Sequence, residues 1–307
     1  MPPRSVRAAG GGVRFLHLVA LCLGVAVAAE LIRAGARTVG QDLAFRHNRP
    51  GMLAVYALGV VSVLVFMRFV WGVSAMAALA HYWAHRGRAL RGFLLAFASV
   101  AATLGVAGGL ATWAEVAAWH AVRWQGWGWT MASRTLLAIA LAILVATAEE
   151  CLFRGFGFGY LRGGGARAAG AVLGSSLVFA FAHRLDNPLA WITTPGPALF
   201  VGLVLVGVLL ATVYWASGSL AAAIGVHTGL LLAEIFVRNR GTRLVLLSDA
   251  PWWMGTGSDL RTAPIVWLAL AATALGVWWA RDRVRDWTGL GPAEESQPRA
   301  RSMRLRA

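Results

Sequence analysis

The chain has 307 residues, of which 58% are hydrophobic and 13% charged, about half the charged share usual in a soluble domain. Its mean hydropathy is +0.64. This overrides the one or two soluble domains that the length alone would allow. Apolar runs near bilayer-crossing length recur, so the fold class expected is all-α: a polytopic membrane helix bundle of about eight transmembrane helices. The net charge of +15 comes entirely from arginine. The arginines gather at segment ends and in the tail, so they read as membrane anchoring rather than a nucleic-acid surface, and no nucleic-acid partner is expected.

In chain order the predicted spans lie at about 13–33, 52–72, 92–113, 133–153, 168–186, 198–216, 219–237 and 264–280. The first has basic flanks and a small-residue "AVAA" like a signal peptide. With seven spans following, it reads as an uncleaved helix. An even number of spans puts both termini on one side, and the arginine-rich tail places that side in the cytoplasm. The loop at 33–49, which holds Arg33, Arg37, Arg46 and Arg49, runs against that bias. The segment at 113–129 carries five tryptophans and is expected to lie along the outer interface. Residues 1–280 form the transmembrane domain, and 281–307 read as a disordered, arginine-rich cytoplasmic tail. The expected location is the cell (plasma) membrane, multi-pass, and arginine without lysine fits a GC-rich bacterial genome.

The chemistry concentrates in "ATAEECLFRGFG", residues 146–157. On a helix, residues four apart share a face, so Glu150 and Arg154 can form a structural ion pair. Glu149 points elsewhere and needs a partner from another element. The turn "RGGGAR" at 162–167 joins this helix to the next. Glu149 lies roughly 24 Å before the turn and His183 roughly 25 Å after it, at 1.5 Å per residue. An antiparallel hairpin therefore sets the two level, provided its first arm continues unbroken through "FGFGYL". His227, about eight residues past the turn "SGS", could join them.

A glutamate and two histidines from three helices would form a polar pocket in an apolar bundle. Such residues can activate water for attack on a carbonyl and hold an oxyanion. Glu149, His183 and His227 could equally ligate a divalent metal such as zinc. A buried ion-pair network that only holds helices together is the plainer alternative.

These residues form motifs. "EECLFR" fits E-E-x-x-x-R at Glu149, Glu150 and Arg154, "FAFAH" fits F-x-x-x-H at Phe179 and His183, and "GVHTGLL" is similar to H-x-x-x-N at His227. In this order they resemble the CPBP family, the CAAX proteases and bacteriocin-processing enzymes, over about residues 133–237. The resemblance implies an intramembrane endopeptidase, of a family often classed as metalloproteases, acting on a membrane-associated protein or peptide. It implies that Glu149 activates the attacking water, Glu150 pairs with Arg154, His183 assists as base or ligand, and His227 helps bind the oxyanion. Where the family motif ends in asparagine, this chain has Leu231, which cannot donate a hydrogen bond. A non-catalytic scaffold or immunity-type protein with the same fold is the alternative, and a transporter lined by buried charge a weaker third.

Other signals are set aside. His81 and His85 share a helix face but have no third ligand nearby, and neither "WASGSL" nor "GTGSD" matches the serine or aspartyl intramembrane protease motifs it approaches. Cys22 and Cys151 read as small buried hydrophobes without a disulfide framework.

Overall fold

The computed structural model describes residues 10–38, 86–115, 117–121, 129–183, 196–238, 242–246 and 260–288. The expected span at 52–72, the pair His81 and His85, and the "GTGSD" segment lie outside the described residues. Among the described residues the fold is helical, with one two-stranded ribbon.

Helix α1 is Gly11–Thr38, and α2 is Arg86–Trp113. Strand β1, Ala117–Ala121, then pairs antiparallel with β2, Thr242–Leu246. The expected interfacial loop at 113–129 thus contains a strand, which has a partner more than a hundred residues away. Helix α3, Trp129–Glu150, passes directly into a π-wound segment, Cys151–Phe158, and then into a short helix α4, Gly159–Gly163. After the glycine turn come α5, Ala168–Ala182, α6, Gly196–Ser217, and α7, Leu220–Arg238. A short 3-10 turn, Leu260–Thr262, leads into α8, Pro264–Trp279, and α9, Arg281–Thr288.

Three described helical stretches are long and apolar enough to cross a bilayer: Gly87–Ala107, Thr135–Gly163 and Gly196–Ser217. Others are shorter, such as the 15-residue α5. A helix that short leaves its ends at membrane depth, which is tolerable where protein rather than lipid surrounds them. The lipid-facing sides are apolar, with Leu16, Leu94, Leu110, Leu136 and Leu268 all more than half exposed. The protein is a membrane helix bundle.

Because lipid is as apolar as leucine, burial alone does not bring such helices together, and close packing with polar contacts must. Helix α5 runs antiparallel along α6 where Gly207 meets Ser176: a Cβ on Gly207 would fall 2.9 Å from the Ser176 Cβ. The π-wound segment is buried on several sides. Phe153 packs edge-on to Phe179, Phe158 edge-on to Tyr214, and Phe156 stacks on Tyr160. The glycine turn, the serine turn between α6 and α7, and the start of α2 lie at one end of the bundle, and the ribbon lies at the other.

The chain past 280 differs from expectation at its start. Arg281–Thr288 is helical, and Arg281 and Arg285 lie over the face of Trp215, which itself stacks on Trp278 at a centroid distance of 4.2 Å. Low apolar content predicts disorder for the chain by itself. Here an aromatic platform at the end of α6 gives two guanidinium groups a surface to cover. The rest of the tail, 289–307, lies outside the described residues.

Candidate active site

The site is built where α3 ends. At that point helical geometry turns adjacent carboxylates about 100° apart. Glu150 enters the bundle and is fully buried, while Glu149 keeps 18% of its side chain exposed.

Glu150 is held from two sides. Arg154, also fully buried, donates from Nη1 to Glu150 Oε1 at 2.8 Å. His227 Nδ1–H donates to the same oxygen, also at 2.8 Å. Arg154 then reaches across to α6, where its Nη2 donates to the Gly207 carbonyl at 3.0 Å. Its guanidinium lies 4.7 Å from the centroid of Phe179. A buried charge is tolerable only when paired and hydrogen-bonded, and this arrangement supplies a carboxylate, a carbonyl and an aromatic face. Three helices and the π-wound segment are tied together here.

Glu149 faces the two histidines. His183 Nε2 is 3.4 Å from Glu149 Oε2, and His227 Nε2 is 3.7 Å from the same oxygen. Both rings are oriented by their other nitrogen. His183 Nδ1–H donates to the Phe179 carbonyl at 2.9 Å, and His227 Nδ1–H donates to Glu150. Each ring therefore turns Nε2 toward Glu149. Phe179 lies against both, 4.3 Å from the His183 ring and 6.0 Å from that of His227. His227 is 5% exposed and His183 28%, so the site opens on the Glu149–His183 side.

Spacing thus predicts correctly that Glu149 and His183 are level, that Glu150 pairs with Arg154, and that His227 reaches both. The first arm does continue through "FGFGYL", though with π rather than α winding. Leu231 is half-buried, one turn past His227 on α7. Two further features escape a reading of spacing. Glu150 orients His227 as well as pairing with Arg154. The hydroxyl of Thr228, 1% exposed and next to His227, has no hydrogen-bond partner among the described residues. Adjacency to His227 was the one signal that could have flagged Thr228.

One carboxylate and two imidazole nitrogens are donor types that zinc takes. Among the described residues, however, no group of three or more His, Cys, Asp or Glu is placed to hold a metal ion. Nε2 of both rings lies within 3.7 Å of Glu149 Oε2, whose remaining hydrogen-bonding capacity is unfilled among the described residues.

Residues 130–233 match the family model of Rce1-like, type II CAAX prenyl endopeptidases. The match contains all six motif residues and leaves out α1, α2, α8 and α9. No curated protein and no solved structure matches the chain.

Proposed function

We propose that this membrane protein, whose residues 130–233 match the Rce1-like family model, is an intramembrane endopeptidase in which Glu149 activates water. The observation that carries the reading is the convergence of His183 Nε2 and His227 Nε2 on Glu149 Oε2, at 3.4 and 3.7 Å.

In this reading a water held between Glu149 and His183 gives its proton to the Glu149 carboxylate. Its oxygen attacks the carbonyl carbon of the scissile peptide. Negative charge moves to the carbonyl oxygen, and His227 meets it, protonated at Nε2 and backed by Glu150 at Nδ1. Collapse of the tetrahedral intermediate breaks the C–N bond, and Glu149 returns its proton to the leaving amine. Glu150 and Arg154 touch no substrate and position His227.

The substrate class that the family match suggests is a prenylated C-terminal peptide. The test supplies full-length protein in liposomes with a farnesylated peptide ending in a C-A-A-X sequence and follows the released tripeptide by mass spectrometry. Repeating the assay after incubation with a zinc chelator separates a metal held by Glu149, His183 and His227 from water activated by Glu149 alone. Wild-type protein that leaves such peptides intact would sink the reading. Leu231 favours a second one, a scaffold with the family fold and no turnover.

A further inference from the structure

Tyr160 stands beyond the π-wound segment from Glu150, and α1 holds it at three points. Arg14, 7% exposed, donates from Nη1 to the Tyr160 carbonyl at 2.8 Å. The Arg14 guanidinium lies 4.9 Å from the centroid of the Tyr160 ring. The Tyr160 hydroxyl is hydrogen-bonded to His17 Nδ1 at 2.8 Å. A carbonyl in the last helical turn has no partner within its own helix, and a cation is favoured at that end.

The glycine turn is shaped for this arginine. Of its three glycines only Gly165, at φ +83°, has a backbone conformation that demands glycine. The other two make room: a Cβ on Gly163 would fall 2.7 Å from Arg14 Nη1, and one on Gly164 would fall 2.6 Å from Arg14 Cδ.

What this grip controls follows from the winding between Glu150 and Tyr160. π-Helix is rare and mostly confined to single-turn bulges, yet here it runs for eight residues. Rewinding it as α-helix would turn Glu150 relative to Tyr160 by roughly a third of a turn or more. The winding therefore persists only if both ends are pinned. Arg154, Gly207 and His227 pin the Glu150 end, and α1 pins the other. We propose that α1, which lies outside the segment matched by the family model, is a working part of the site, and that Arg14 and His17 are positioning residues that hold residues 151–158 in π winding and so keep Glu149 facing the two histidines. The docking stands on the contacts above, and its effect on turnover rests on the reading of Glu149 as the base.

The experiment has two arms, both on the full chain. The first replaces Cys22 and Cys151 by serine and introduces Gly11→Cys with Ala166→Cys. A Cβ at Gly11 would lie 3.7 Å from that of Ala166, the separation a disulfide takes. Oxidation should cross-link the pair efficiently. Arg14→Gln, and separately Gly164→Ala, should cut the yield about tenfold, and Arg14→Lys should retain most of it. The second arm measures peptide cleavage, where Arg14→Gln and Gly164→Ala should lower kcat about tenfold with KM unchanged and Arg14→Lys should recover most of it. Absent cross-linking, or cross-linking indifferent to Arg14→Gln, overturns the docking. Cross-linking that responds as expected beside an unchanged kcat overturns the positioning role. If the wild type cleaves nothing, the proteolytic reading fails, and the cross-linking arm still decides the docking.

Discussion

Glu149 and Glu150 are neighbours in the chain with opposite surroundings. Glu150 has no exposure and shares one oxygen between Arg154 and His227. Glu149 is partly exposed and faces two imidazole nitrogens. Their substitutions should therefore fail differently. Glu150→Gln leaves Arg154 buried without a counter-charge, which costs about 3–5 kcal/mol, so a marked fall in detergent melting temperature and in membrane yield is expected. Unchanged stability would show that Arg154 is neutralised by something else. Leu231→Asn tests the gap in the third motif. If His227 works one donor short, a restored amide should raise kcat by about tenfold or more, since one oxyanion donor is worth about a hundred- to a thousandfold. A neutral or harmful effect would mean that the oxyanion lies elsewhere. The division of labour between the two glutamates was legible from their offset to Arg154 alone. The bond from His227 to Glu150 was not, because it joins residues 77 apart on separate helices and leaves no periodic trace.

The hairpin carries the site, and its two arms are read with unequal success from sequence. Counting residues to the glycine turn placed His183 opposite Glu149 because α5 is a regular helix of constant rise. The other arm is wound as π-helix for eight residues. Hydrophobic pattern and propensity signal helix there without specifying ring size, so the level was predicted and the winding was not. The glycines of the turn read as conformational punctuation, though two of them admit Arg14. The α5–α6 contact is a sharper constraint on the site than either turn, because the Gly207 carbonyl that receives Arg154 lies where a side chain would strike Ser176. Gly207→Val should force the helices apart and cost about 1–3 kcal/mol, read as a lower melting temperature with reduced cleavage. Full stability in that variant would mean that α6 shifts freely against α5.

Across the whole bundle, α1 begins beside the glycine turn, and α8 ends against Trp215 at the same end. The start of α1 and the end of α8 thus share one end of the bundle, and the positive-inside rule applied to the arginines of α9 predicts that this end faces the cytoplasm. A cysteine placed at Ser5 or Ser302 should resist a membrane-impermeant maleimide in intact cells and label after permeabilisation. Labelling in intact cells would invert the orientation. Composition alone established the membrane bundle, since apolar runs of this length have few other uses. It did not reveal the ribbon, because a β1–β2 pairing is a long-range event, nor the docking of α1 on Tyr160 through Arg14 and His17.

The central claim is that Glu149 activates water. Its most direct measurement compares wild-type and Glu149→Gln protein, purified at equal yield and melting temperature, in liposomes with the farnesylated peptide. The account predicts that tripeptide release falls by about a thousandfold or more in the variant. Release at the wild-type rate would contradict it.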